Sequence, residues 1–163
     1  MFINYKLPAL SEFTRVSTMD SAQIAPGARI GVDPDRGRIQ LDAAPDHLAL
    51  AFSPFDPALQ WIELAFVLDA DLWRRCRQIF LRYRASGSDV RVTPSLRLGG
   101  EGGFHDLFSD ASHTARDDVA EFGAEFRLPP RWADRAQWID LHLFFDPRRG
   151  NVQLYDLSLT GVQ

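Results

Sequence analysis

Hydrophobic and polar residues alternate along most of this chain with a period of two. Ile79, Leu81 and Tyr83 fall on one side of a short run, and Arg82 and Arg84 fall on the other. That period belongs to a strand with one buried face, since successive side chains point to opposite sides. The alternation predicts strands near residues 29–32, 38–43, 47–52, 61–68, 79–85, 90–98, 104–108, 120–128, 138–145 and 152–159. Breaks rich in Gly, Pro and Asp separate them, a spacing that suggests an all-β sandwich or barrel. The inward set is Ile62, Leu64, Phe66, Ile79, Leu81, Tyr83, Val90, Val92, Phe122, Phe126, Ile139, Leu141, Leu143, Leu154, Leu157 and Leu159. Helical patterning is confined to "DADLWRRCRQ", residues 69–78, with room for one or two turns. Residues 1–27 are weakly patterned and read as an N-terminal arm or irregular segment, ahead of a single sandwich domain over 28–163.

Two stretches repeat. "QWIELAFVLD" (60–69) and "QWIDLHLFFD" (137–146) share five of ten positions, and Glu63 answers Asp140 in charge. In each, one register is wholly apolar and the other mixed: Trp61, Glu63, Ala65 and Val67 in the first, Trp138, Asp140, His142 and Phe144 in the second. Two similar sandwich strands account for the likeness. "DPDRGRIQL" (33–41) likewise echoes "DPRRGNVQL" (146–154), which predicts two hairpins closed by one turn type, with Pro presetting φ and Gly taking the positive φ. The echoes occur in opposite order, so a tandem repeat is not supported.

The chain has 163 residues, enough for one domain with a real core, and 45 % of them are hydrophobic. A net charge of −4 argues against non-specific nucleic-acid binding. Arginine dominates the cations, Lys6 being the one lysine. Guanidinium favours forked and stacked contacts, so arginine groupings matter. A single cysteine, Cys76, excludes an internal disulfide and points to a reducing compartment. The start, "MFINYKLPALSEF", lacks the pattern of a signal peptide, and no apolar run is long enough to span a membrane. The expected location is therefore cytoplasmic, with export by another route left open.

From Ile79 onward the order of features is that of a known family. "IFLRYRASGSDVRVTPSLRL" gives two alternating strands about a Ser-Gly turn, "AEFGAEFRLPP" follows a polar loop, and "QWIDLHLFFDPRRGNVQLYDLSLTGV" ends in a Val-x-Leu-x-Asp-Leu-x-Leu strand. This resembles jelly-roll carbohydrate-binding modules of the family-4/9 type, among the galactose-binding-domain-like sandwiches. The resemblance covers about half the chain. It implies an antiparallel β-sandwich of jelly-roll topology, a non-catalytic glycan-binding role, and a structural calcium whose ligand would be Asp156. Asp33, Asp35 and Asp42 would supply further oxygens if the first and last strands are neighbours.

Several side chains carry candidate chemistry. Trp61, Trp132 and Trp138 can stack on the apolar faces of sugar rings, although Trp132, in the loop "LPPRWADRAQ", serves equally as a lid over the sandwich end. Arg82, Arg84, Arg91 and Arg97 would share one face if their strands pair, and would then grip acidic sugars, sulfates or phosphates. Glu63, Asp140 and His142 complete the predicted ligand set. The leading expectation is a lectin-like module, extending to an anionic glycan. The alternative is a structural or assembly domain that turns the same face to another protein or to a second copy of the chain. Hydrolysis by Glu63 and Asp140 stands third, and nothing suggests a cofactor beyond calcium. Among His47, His105, His113 and His142 no spacing suits a zinc site. "FHDLFSD", with His105, Asp106, Ser109 and Asp110, places polar groups at an expected edge.

Overall fold

The computed structural model describes residues 2–163. Fourteen strands, numbered along the chain, form two seven-stranded antiparallel sheets. Sheet A runs β12 (Ala120–Arg127), β8 (Gln78–Gly87), β14 (Gly150–Val162), β6 (Leu48–Pro54), β5 (Gly37–Ala43) and β2 (Val16–Thr18), with β1 (Phe2–Lys6) also paired to β14. Sheet B runs β10 (Gly103–Phe108), β9 (Val90–Gly100), β13 (Trp138–Phe145), β7 (Ile62–Leu68), β4 (Ala28–Val32) and β3 (Ser21–Ala25), with β11 (His113–Ala115) also paired to β9. The chain repeatedly crosses between sheets, as from β7 to β8, β8 to β9 and β12 to β13. This is the β-sandwich of jelly-roll type that the alternation and the family resemblance imply.

The inward registers of both sheets meet in one core. Ile62, Leu64, Phe66, Ile139, Leu141 and Leu143 from sheet B pack against Ile79, Leu81, Tyr83, Leu154, Leu157 and Leu159 from sheet A, all buried. Of the predicted core residues, Phe122 alone is only half-buried, at the margin on the edge strand β12. Tyr83 keeps its phenol satisfied inside the protein, 2.7 Å from His113 Nδ1. The single α-helical turn among the described residues, α1 (Ala70–Trp73), is capped by Asp69, whose carboxylate accepts from the backbone N–H of Asp71 and Leu72.

Two expectations change. The segment before residue 28, expected as an arm or an irregular segment, contributes paired strands to both sheets: β1 pairs with β14, β2 with β5 and β3 with β4. These strands are three to five residues long, too short to show alternation, and distant partners define them. The two Asp-Pro-x-Arg-Gly turns are not hairpins either. Each carries the chain from sheet B to sheet A, between β4 and β5 and between β13 and β14. In the first, Asp35 rather than Gly37 takes the left-handed backbone, at φ 59°. The glycines answer to crowding: a Cβ on Gly37 would lie 3.2 Å from both Leu59 and Val32, and one on Gly150 would lie 2.7 Å from Val90 Cγ2.

Gly150→Ala should therefore overpack the crossing and destabilise the protein by roughly 1–3 kcal/mol. Urea denaturation checks this, and an unchanged midpoint would refute the packing role.

Candidate functional site

The outward register of sheet B gathers the polar and aromatic residues of strands far apart in sequence. Cross-strand pairing sets them in rows. Arg29, Ala65, His142 and Ser95 form one row, and Val67, Asp140, Arg97 and Asp106 the next. Gly31, Glu63, Phe144 and Thr93 lie toward one end, and Trp138, Gly99 and Phe104 toward the other. The two echoed decapeptides are thus β7 and β13, antiparallel neighbours at the centre of this face.

A chain of ion pairs occupies its middle. Glu63 and Asp140 are only 6 % and 5 % exposed, and His142 is fully buried, although all three lie on the outer side of the sheet. Buried charge is tolerated only when paired. His142 Nδ1 lies 2.8 Å from Glu63 Oε2 and donates to it. Arg29 bridges the two acids, with Nη1 3.3 Å from Asp140 Oδ2 and Nε 3.8 Å from Glu63 Oε1. Arg97 donates to both oxygens of Asp106, at 2.7 and 2.8 Å, and its guanidinium carbon sits 4.2 Å from the centre of the Phe104 ring. Phe144 stacks on His142, with ring centres 5.4 Å apart. Burial opposes ionisation of Glu63, but the His142 hydrogen bond and the charges of His142, Arg29 and Arg97 outweigh it and hold its carboxyl below the ordinary 4.5. An ionised Glu63 has no proton to give as a general acid near neutrality. Two buried polar atoms, Ser95 Oγ and His142 Nε2, have no hydrogen-bond partner among the described residues.

Aromatic rings flank this centre. The Trp138 indole lies against Gly99, where any Cβ would collide with the ring, and remains 37 % exposed. Phe104 and Phe108 are exposed on β10, and Trp61 is half-buried beside Gly31. Sequence reasoning placed Trp61, Glu63, Trp138, Asp140 and His142, and all five share this face. It missed Arg29, Phe104 and Phe108 as members, and set Phe144 on the outward register without counting it in the ligand set. Alternation along β10, which sets residues 104, 106 and 108 on one side, was the available signal.

Other predicted positions lie elsewhere. Arg82 and Arg84 are on the outer face of sheet A, opposite Arg91 and Arg97, because β8 and β9 belong to different sheets. The four guanidiniums share no face. Trp132 is buried at the end of the sandwich, its indole N–H donating to Cys76 O at 3.3 Å, so it packs as a lid and exposes no stacking face. Asp156 accepts from Arg84 Nε at 2.6 Å, Asp33 pairs with Arg36, and Asp42 lies 3.6 Å from Arg15. Among the described residues, no group of three or more His, Cys, Asp and Glu side chains is arranged to hold a metal ion. With Asp156, Asp33 and Asp42 each set against an arginine, and no metal-holding group among the described residues, these residues do not fit a calcium site.

No protein-family model and no curated protein sequence matches the chain. Solved structures do match its fold. The N-terminal cellulose-binding domain of Cellulomonas fimi β-1,4-glucanase C superposes with a TM-score of 0.56 at 17 % identity, covering 90 % of this chain and 95 % of that one. A family 11 carbohydrate-binding module of Clostridium thermocellum, in complex with a β-1,3-1,4-mixed-linked tetrasaccharide, gives 0.57 at 11 %, covering 96 % and 94 %. A family 22 xylan-binding domain of Paenibacillus barcinonensis gives 0.56 at 10 %, covering 93 % and 96 %. The chain has the jelly-roll fold of carbohydrate-binding modules.

The ion-pair chain makes a pH prediction. Because the folded value of Glu63 lies below the unfolded one, its carboxylate stabilises the fold above the usual glutamate range. That contribution is lost as pH falls from about 4.5 through the folded value. Glu63→Gln should lack this part of the acid-induced loss and be roughly 3 kcal/mol less stable at pH 7. Urea denaturation between pH 3 and 7, on a scale set by the ordinary glutamate value, measures both effects.

Proposed function

We propose that the chain is a carbohydrate-binding module whose ligand lies across the outer face of sheet B. The observation that carries this reading is the pairing of ringed ends with a polar middle: Trp138 and Phe104 at one end, Trp61 and Phe144 at the other, and carboxylate and guanidinium edges between them, with the buried His142 holding Glu63 in place. Sugar rings offer apolar faces for the rings and hydroxyls for the polar groups. The structural neighbours are a cellulose-binding domain, a xylan-binding domain and a module in complex with a β-1,3-1,4-mixed-linked tetrasaccharide, which favours a β-linked backbone here.

The same geometry favours an uncharged sugar on this face. Arg97 is held by both oxygens of Asp106, and Arg29 is shared between Glu63 and Asp140. Neither is left to neutralise a sulfate or carboxylate. The anionic-glycan expectation drew on arginines grouped across β8 and β9, which face opposite ways.

Affinity electrophoresis in gels containing soluble cellulose derivatives, xylan or mixed-linked β-glucan provides the test. Retardation by at least one is expected, with at least about tenfold weaker binding in Trp138→Ala. No retardation by any of these gels would overturn the reading. A wild-type dimer in light scattering that Trp138→Ala splits would favour assembly through this face instead.

A further inference from the structure

We propose a second ligand site, at one end of the sandwich, for a sulfate or phosphate group carried on a saccharide chain. The segment leaving α1, "RRCR" (74–77), lies against the segment leaving β12, "LPPRW" (128–132). Two hydrogen bonds staple them together: Leu128 N–H to Arg77 O at 3.0 Å, and Trp132 Nε1–H to Cys76 O at 3.3 Å. A third, from Arg77 N–H to Val162 O at 2.8 Å, ties the pair to the last strand.

Here the segments line a cavity of about 360 Å³. Arg74, Arg75, Arg77 and Arg131 line it, with Pro129, Pro130 and the buried Trp132 as an apolar wall, and no acid among the described residues lines it. Four arginines in one cavity lining make this end locally basic in a chain whose net charge is −4. Arg75, Arg77 and Arg131 form no ion pair with any described residue. Arg74 has one exposed contact, 3.3 Å from Asp71, of the kind that contributes little. Like charges that line one cavity repel, and an anion bound among them relieves that repulsion. Guanidinium forks match the oxygens of tetrahedral oxyanions. Arg131 is also held in the left-handed region, φ 59°, between Pro130 and Trp132. This is an uncommon backbone state for a non-glycine residue, and the fixed loop around it sustains it.

The saccharide carrier follows from position, and that part rests on the function proposed above. Pro129, Pro130, Arg131 and Trp132 also wall a neighbouring cavity of about 410 Å³ that reaches Gly99 and Phe104, with Arg135 and Glu101 in its lining. Gly99 and Phe104 belong to the Trp138 end of the sheet B face. A glycan leaving that end therefore passes toward the arginines. The sheet face would hold the sugar backbone, and the end cavity its charged substituent.

The test uses sodium sulfate, dextran sulfate and uncharged dextran with the whole chain. Arg75→Gln combined with Arg131→Gly removes two guanidiniums, and glycine suits the left-handed backbone, so this variant should fold. Arg82→Gln removes the same charge from the outer face of sheet A and serves as control. Sulfate stabilises many proteins by exclusion, so the readout is a difference between variants. At equal ionic strength, sulfate over chloride should raise the melting temperature of the wild type by about 2 °C more than that of the double variant. Dextran sulfate should bind the double variant at least about tenfold more weakly than the wild type, and Arg82→Gln as well as the wild type does. Equal sulfate shifts and equal dextran sulfate binding in wild type and double variant would overturn the site. A sulfate difference without preference for dextran sulfate over dextran would overturn the saccharide carrier and leave a free oxyanion as ligand. A sulfate difference that survives in Trp138→Ala would show the end site standing apart from the sheet-face reading.

Discussion

The register of β13 between β7 and β9 is the constraint on which the rest of the molecule depends. One alternation serves two purposes: Ile139, Leu141, Leu143 and Phe145 fill the core, while Trp138, Asp140, His142 and Phe144 build the outer face. A slip of one residue would exchange the two sets. The core prevents this, because burying His142 and Asp140 between the sheets would cost far more than their present pairing on the surface side. The hydrophobic effect thereby positions a polar site it does not contain.

That site keeps its charges only because they neutralise one another. Glu63 and Asp140 come from strands about 80 residues apart in sequence, and Arg29 arrives from a third strand to span them. Three carboxylates, Glu63, Asp140 and Asp106, meet two guanidiniums, Arg29 and Arg97, and the imidazole of His142, with Asp106 on β10 pairing with Arg97. A face built this way presents hydrogen-bonding groups without a strong field of either sign, which suits uncharged hydroxyl-rich ligands better than ions. At the end of the sandwich the opposite holds. Loops, not strands, place the arginines there, and no cross-strand carboxylate meets them.

Glycine has a common role on the sheet B face and at the crossings between sheets. Gly99 lets the Trp138 ring lie on the backbone, and Gly150 lets β14 begin beside Val90. At neither position is a positive φ the reason. The requirement is close approach, which depends on what packs opposite and so leaves no trace in the local sequence.

The order of residues by itself determined the class of the fold, most of its strands and the division of each into a buried and an outward side. Period-two alternation is a local property, and a strand with one buried face must show it. It also placed Trp61, Glu63, Trp138, Asp140 and His142 on outward registers. What it left undecided was which strands share a sheet. Arg82 and Arg97 look alike in sequence, each alternating with apolar neighbours, yet they face opposite sides of the molecule. The short strands β1 to β3 exist through distant partners, and Asp156 binds Arg84 because β14 lies beside β8. Pairing between residues far apart in the chain is selected by the packing of the whole core. Only the tertiary structure could therefore decide which charges meet, and which groove they line.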